Sequence, residues 1–267
     1  MKNECKNILK KLTAKKYIFF TDRGNSSIKL ALKLANHLGK SKLFLQDQGG
    51  WITYEQFAKK LKFEYEYLDT DYGLMKVDIL NKHLDKYSVL LINSMPGYVV
   101  LQPMEKISAL CKKTGSFLIN DVSGSIGTKE AKYGDLVIGS FGRWKPVNIE
   151  YGGFIAFNNK SYEKFLKDNF KKQLKDFYKD LHNKLKSLPE RLKNFDNINK
   201  KVKKQLKDFD VIHRDSKGIN VIVKTDSPER KAEVIDFCKT YGYEFTLCPR
   251  YIRVLDEAVS IEIKRRN

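Results

Sequence analysis

Lys145 stands between two short apolar runs, in a segment rich in glycine, where solubility alone gives little reason for a lysine. The runs 136–138 and 154–157 predict buried strands, and Gly152 and Gly153 open the second of them. A lysine held between such strands is kept from bulk water, so its amine can act as a nucleophile and form a Schiff base with an aldehyde. An ordinary exposed lysine in a loop is the alternative, and the choice depends on which other residues reach the same place.

A second candidate segment could bind an anion. The apolar run 17–20 predicts a strand, and Gly24–Ser27 follows it and leads into a helical pattern that starts at Ile28. Backbone N–H groups at the start of a helix, with the hydroxyls of Ser26 and Ser27, can all point at one phosphate. Ordinary capping of the helix by serine is the alternative.

Two further residues follow strands directly. Trp51 comes after Gly49 and Gly50 at the end of the predicted strand 42–46, where its face could lie on a flat ring or pack at the rim of the core. Asp121 ends the apolar strand 116–120, where a carboxylate is costly unless it has a partner. A protonated ring nitrogen is one such partner, and a neighbouring backbone group or arginine is another.

The elements that would position these residues alternate between strand and helix. This alternation predicts an α/β fold with a mostly parallel sheet and right-handed crossovers. Ligands of such sheets bind at the carboxyl ends of the strands, and all four candidate segments follow strands. We therefore expect them to meet at one edge of one sheet.

Composition limits the class of protein. The chain has 267 residues and a formal net charge of +19, with 51 basic and 32 acidic residues. This charge could attract nucleic acid, membranes or anionic metabolites, or it could be a lysine-rich solvated surface with interleaved acids. Four cysteines without C-x-x-C spacing and four scattered histidines predict no metal site. With no apolar run of membrane-spanning length, a cytoplasmic protein is predicted.

Over roughly residues 17 to 159, these segments resemble the pyridoxal-phosphate-dependent enzymes of fold type I, and most closely the DegT/StrS-type aminotransferases. Residues 23–32 match that family's Ser-Gly-Thr-Ala-Ala-Leu-x-Leu-Ala-Leu turn. Asp121 and Gly127 match its Glu-Asp-x-x-x-x-x-Gly signature, and residues 140–145 match Ser-Phe-x-x-x-Lys. The resemblance implies a mainly parallel sheet with helices on both faces, followed by a small C-terminal α+β domain.

The resemblance also implies roles for individual residues toward pyridoxal 5'-phosphate. Lys145 would form the Schiff base and move protons, Asp121 would keep the ring nitrogen protonated, and Trp51 would cover the ring. The phosphate would be bound by Gly24, Asn25, Ser26 and Ser140.

The chain departs from the family pattern at two places near these residues. Gly124 stands where the family has a glutamine or histidine that reaches the phenolic oxygen of the cofactor, so that role passes to Ser123 or Ser125 or is missing. Pro146 follows the lysine, where the family has asparagine.

The C-terminal third predicts linking helices and a small domain, giving the division 1–159, 160–210 and 211–267. One amphipathic helix is predicted over 161–186 and a second over 191–206, separated at Pro189. Later strands are predicted over 218–224, 243–247, 251–254 and 258–263. Arg250 or Arg253 could grip a substrate carboxylate, as small-domain arginines do in fold type I enzymes, or both could be surface residues.

The resulting prediction is a pyridoxal-phosphate-dependent enzyme, an aminotransferase first of all, that acts on a small amino compound as a homodimer. Sulfur or selenium transfer on cysteine or aminoacyl-tRNA is an alternative, with tRNA as a possible but less favoured partner of the basic surface. A non-catalytic homologue that binds the cofactor is the third possibility, which Gly124 favours.

Overall fold

The computed structural model describes residues 1–266, and the order of elements along them is that of a wound α/β protein. The first part consists of α1 (Lys2–Thr13), β1 (Tyr17–Thr21), α2 (Gly24–His37), β2 (Lys42–Gln46), α3 (Thr53–Lys60), β3 (Glu64–Leu68), β4 (Thr70–Asp71), β5 (Leu74–Met75), α4 (Val77–His83), β6 (Ser88–Asn93), α5 (Met104–Thr114), β7 (Phe117–Asp121), β8 (Leu136–Ser140) and β9 (Gly153–Phe157). The second part consists of α6 (Tyr162–Asn169), α7 (Tyr178–Gln205), β10 (Val221–Lys224), α8 (Pro228–Tyr241), β11 (Phe245–Cys248) and β12 (Ala258–Ile261).

Seven strands form the main sheet, in the order β1-β9-β8-β7-β6-β2-β3. The pairs from β8 through β3 are parallel, and β9 runs antiparallel to both of its neighbours. Every residue of β6, β7 and β9 is buried, as expected for strands covered on both faces. The predicted α/β class with a mainly parallel sheet is confirmed.

Helices cover both faces of this sheet because successive strand residues point to opposite sides. In β8, Ile138 packs in the core beneath α2, whereas Val137 packs on the other side with α1 and the start of α7. The two layers fix the sheet from both sides and leave the carboxyl ends of β2, β6, β7 and β8 at one edge.

The helical region after β9 differs from the prediction. α6 ends at Asn169, residues 170–177 are not helical, and α7 then continues through Pro189 to Gln205. Phe177 leaves the predicted helix because its ring packs edge-on against Phe20 of β1. Proline usually interrupts a helix, yet here buried apolar residues on both sides of it hold the two halves of α7 against the core.

A second sheet, in the order β10-β12-β11, is antiparallel and packs with α8 and the end of α7. The strand predicted over 251–254 is wrong. Backbone hydrogen bonds from Arg253 to Arg250 and from Arg250 to Val254 close a tight turn there. The domain limits given above stay a prediction. Across residues 1–266, no helix combines the length and apolar character needed to cross a bilayer.

Candidate functional site

A pocket lies at the carboxyl edge of the main sheet. Six of the residues predicted from the sequence line it: Gly24, Asn25, Trp51, Asp121, Ser140 and Lys145. They come from the start of α2, from the segment that follows β2, from the last residues of β7 and β8, and from the loop after β8. The parallel strand arrangement therefore brings together residues that are up to about 120 positions apart in the chain.

One end of the pocket suits an anion. α2 begins at Gly24 without a side-chain cap, so the N–H groups of Gly24 and Asn25 have no intrahelical partner. A Cβ on Gly24 would lie 2.7 Å from Cβ of Ser140, so only glycine lets the helix start approach Ser140 this closely. Two backbone donors and the Ser140 hydroxyl thus face one point at a helix N-terminus.

The adjacent Ser26 does not line this pocket. Its backbone N–H donates to the carbonyl of Arg23 at 3.1 Å, and that of Ser27 donates to the same oxygen at 3.3 Å. The Ser27 hydroxyl lies 2.8 Å from that of Thr21. These groups serve the local turn, so the structure gives no support to the predicted phosphate contact from Ser26.

Trp51 is held at the pocket by a hydrogen bond that spans two elements. Its indole Nε1–H donates to Oδ1 of Asn25 at 2.9 Å. Because Asn25 belongs to α2 and Trp51 precedes α3, the bond fixes the orientation of the indole relative to the anion-binding end. The face of the ring is then available to pack on a planar ligand.

Asp121 is 5% exposed, and both of its oxygens have a donor. Oδ2 accepts a hydrogen bond from the Tyr54 hydroxyl at 2.7 Å, and Oδ1 accepts one from the N–H of Ser123 at 2.9 Å. Burial, and then the charge of Asp121, raise the pKa of Tyr54 well above its usual value, so Tyr54 stays a donor. A carboxylate oxygen accepts more than one hydrogen bond, so Asp121 can still receive another from a ligand.

Lys145 lies in the loop between β8 and β9, and its amine enters the pocket. Nζ lies 5.1 Å from the centre of the Trp51 ring and donates a hydrogen bond to the hydroxyl of Tyr98. Backbone bonds from Phe141 to Gly152 and from Ile149 to Phe141 close the loop, each at 3.0 Å. The amine is therefore aimed by a fixed loop.

Tyr98 and Tyr54 are site residues that sequence reasoning missed. Tyr98 lies in a short 3₁₀ turn, Pro96–Tyr98, after β6, and its φ of 66° is in the left-handed region. A Cβ on Gly124 would lie 2.8 Å from Cδ1 of Tyr98, so the glycine makes room for this ring. The available signal was the Pro-Gly-Tyr sequence at the end of a buried strand, on the same edge as the other candidates.

The two arginines predicted to bind a substrate carboxylate do not line the pocket. Arg253 is 4% exposed, and its Nε and Nη2 each lie 2.7 Å from an oxygen of Glu262. Arg250 is exposed on the turn before it. Because the guanidinium of Arg253 is already paired with Glu262, the structure gives no support to the prediction that Arg253 binds a substrate carboxylate.

Comparison with known proteins agrees with the fold. Residues 189–267 match a family model described as the MJ1341 family C-terminal domain. No curated protein matches the chain. The chain is similar in structure to a DegT DnrJ EryC1 StrS aminotransferase from Brucella abortus, with a TM-score of 0.76 and 14% identity over 97% of this chain and 84% of that one.

Two other solved structures show the same likeness. The 3-amino-5-hydroxybenzoic acid synthase has a TM-score of 0.78 and 14% identity over 98% of this chain and 85% of its own. The ntdA protein from Bacillus subtilis, solved with bound cofactor PMP, has a TM-score of 0.71 and 14% identity over 97% of this chain and 72% of its own. The chain therefore has the fold of the type I pyridoxal-phosphate enzymes.

Proposed function

We propose that this chain is a pyridoxal-phosphate-dependent aminotransferase that acts on a small amino compound. The observation on which the proposal depends most is that an anion-binding helix start, a buried carboxylate and a lysine amine line one pocket. The fold also supports it, because a solved structure named as an aminotransferase shares this fold, and ligands of such sheets bind at the carboxyl ends of the strands.

The residues present fit pyridoxal phosphate, which contains a phosphate, a flat ring with a basic nitrogen, and an aldehyde. The N–H groups of Gly24 and Asn25 with the Ser140 hydroxyl suit the phosphate. Asp121 suits the protonated ring nitrogen because it is buried and its carboxylate can accept a further hydrogen bond besides those from Tyr54 and Ser123. Lys145 would supply the amine for covalent attachment.

Each residue of the pocket has a separate role in the proposed reaction. When bound, the cofactor supplies an electron sink for the carbon that bears the substrate amine. Nζ of Lys145 would remove a proton from that carbon and return it. Asp121 fixes a negative charge at the far side of the pocket, and Tyr54 keeps that carboxylate oriented. Trp51 covers the pocket and limits access of water.

Sulfur transfer has no support in the structure. All four cysteines are buried as free thiols. Burial raises the pKa of Cys111 to about 12, and it does the same for Cys238. Since the thiolate is the reactive form, none of these cysteines is placed to carry sulfur from a substrate.

The homodimer and the cytoplasmic location belong to the same proposal. Ile52, which directly follows Trp51, is 50% exposed, and a second copy of the chain could cover it. Free buried thiols suit a reducing compartment. Sedimentation of the purified protein would distinguish a dimer from a monomer of 31.1 kDa.

The direct test is titration of purified protein with pyridoxal phosphate. We expect one equivalent to bind with a visible absorbance band, borohydride to fix it, and peptide mapping to find the label on Lys145. Bleaching of the band by a panel of amino acids and amino sugars would separate an enzyme from a non-catalytic homologue. A protein that stays colourless at millimolar cofactor, or that is labelled elsewhere, would overturn the proposal.

Replacing Asp121 with asparagine should lower turnover by about 10²–10³-fold, because the fixed charge that favours the protonated ring is lost. The single asparagine oxygen can accept from the Tyr54 hydroxyl or from the N–H of Ser123 but not keep both bonds, so circular dichroism should establish that the variant is folded. Steady-state kinetics and the pH dependence of the cofactor band are the measurements. Asp236→Asn, on exposed α8, is the matched control and should be unchanged. Equal activity of both variants would remove Asp121 from the mechanism.

A further inference from the structure

The phenol of Tyr98 is the hydrogen-bond partner of the Lys145 amine among the residues that the structure describes. A lysine that must give up and take back a proton needs a nearby group that can hold it. Tyr98 is 5% exposed, so water has little access to this contact.

Tyr98 is held in place by the C-terminal segment. Its backbone carbonyl accepts hydrogen bonds from the N–H groups of Ile219 at 2.8 Å and Asn220 at 2.9 Å. Its φ of 66° lies in a backbone region that residues other than glycine rarely adopt. Such strain persists where the surroundings impose it, and it is frequent at functional sites.

Three basic side chains face the ring of Tyr98. Nζ of Lys264 lies 4.5 Å from the ring centre, Nζ of Lys145 lies 4.9 Å away and Cζ of Arg253 lies 5.1 Å away. Arg253 and Lys264 are paired with the carboxylate of Glu262. A neutral phenolic oxygen accepts hydrogen bonds, so Tyr98 can hold the Lys145 amine without being ionised.

Asp121 also lines the pocket, where it accepts hydrogen bonds from the Tyr54 hydroxyl and the N–H of Ser123. Among the described residues, the hydrogen-bond acceptor of the Lys145 amine is the oxygen of Tyr98.

We infer that Tyr98 is the positioning residue of Lys145: its phenolic oxygen accepts a hydrogen bond from the amine and holds that amine in the pocket. The part that this contact plays in catalysis rests on the proposed function, whereas the contact itself does not.

Gly124 is the second half of this arrangement. Its Cα lies against the Tyr98 ring so closely that an added Cβ would come within 2.9 Å of two ring carbons, Cδ1 and Cε1. The polar role at this face of the pocket is therefore filled from the turn after β6, which leaves no space for a side chain at 124. Gly124→Ala should displace the phenol from Lys145 and so reproduce part of the effect of losing it.

The test uses the protein without cofactor. Trace labelling of amines with acetic anhydride, followed by mass spectrometry, gives the reactivity of Lys145 at each pH. In Tyr98→Phe the ammonium form of Lys145 loses its hydrogen-bond acceptor, so the midpoint pH of its reactivity should fall by about one pH unit.

Tyr251→Phe is the matched control, since its hydroxyl binds the backbone carbonyl of Gln46 at 3.2 Å and not Lys145. It should leave the midpoint unchanged. Equal midpoints in the wild type, Tyr98→Phe and Tyr251→Phe would overturn the inference. Should the protein bind pyridoxal phosphate through Lys145 and still show equal midpoints, the proposed function survives and the inference fails. Should it bind no cofactor, the proposed function fails, and the labelling result still decides the pairing of Tyr98 with Lys145.

Discussion

Lys145→Ala is expected to abolish covalent retention of pyridoxal phosphate and to lower amino-group transfer by at least about 10⁴-fold, because one side chain supplies both the attachment point and the proton transfer. The pocket should otherwise persist, since backbone bonds of residues 141–152 close the loop without the lysine side chain. Single-turnover kinetics and mass spectrometry after borohydride reduction are the measurements.

Lys160→Ala is the control for this variant, since Lys160 is an exposed lysine outside the pocket and its loss should change neither quantity. Added methylamine provides a second check, because a small amine in the vacated space should restore part of the proton transfer. Retention of the reducible adduct in Lys145→Ala would show that another lysine holds the cofactor.

Glu262→Gln is expected to lower the free energy of unfolding by about 3–5 kcal/mol. Glu262 is 1% exposed and pairs with Arg253 and Lys264, which are themselves 4% and 2% exposed. Removing the carboxylate charge leaves the buried guanidinium of Arg253 without compensation, next to Lys264, whose pKa burial already holds well below its usual value. Urea unfolding followed by circular dichroism would measure the change.

The matched control is Glu257→Gln, which breaks an exposed pair with Lys231 whose nitrogen–oxygen distance is 3.0 Å. Exposed pairs contribute at most about 1 kcal/mol, so this variant should unfold almost as the wild type does. Similar losses in the two variants would mean that the buried cluster contributes no more than a surface pair.

The stability that Glu262 contributes should depend on pH. Burial alone would raise the pKa of Glu262, but Lys264 and Arg253 outweigh it and hold that pKa far below its usual range. A carboxyl with a lowered pKa stabilises the fold above its unfolded pKa of about 4.3, and that stability is lost as the pH falls. The difference between wild type and Glu262→Gln should therefore be full at pH 7 and shrink below about pH 5.

The sequence was sufficient for the class of the main sheet and for six residues of the pocket lining. Strands such as β6 and β7 are continuous apolar runs, and the chemistry-bearing residues follow them directly, so topology alone places Asp121 and Lys145 at one edge. The family motifs added which chemistry to expect there. Both signals are local, and a single sequence contains them in full.

The parts that were missed depend on contacts between distant segments. Tyr54 reaches Asp121 across 67 positions, and Tyr98 reaches Lys145 across 47. The sequence does not show that Arg253 is already paired, because its partner Glu262 is nine positions away and the turn at 250–254 is predicted as a strand. Pairing of this kind follows from the packing of whole elements, which periodicity and spacing do not specify.

The carbonyl of Tyr98 is tied to residues 219 and 220, and this makes the order of synthesis matter. The seven-stranded sheet has all of its strands once Phe157 has been made, more than one hundred residues before the end of the chain. The lysine's partner is clamped only after the last sheet docks. A chain that lacked residues 219 and 220 would thus keep every residue of the anion-binding helix start and lose the backbone contacts that hold Tyr98 beside Lys145.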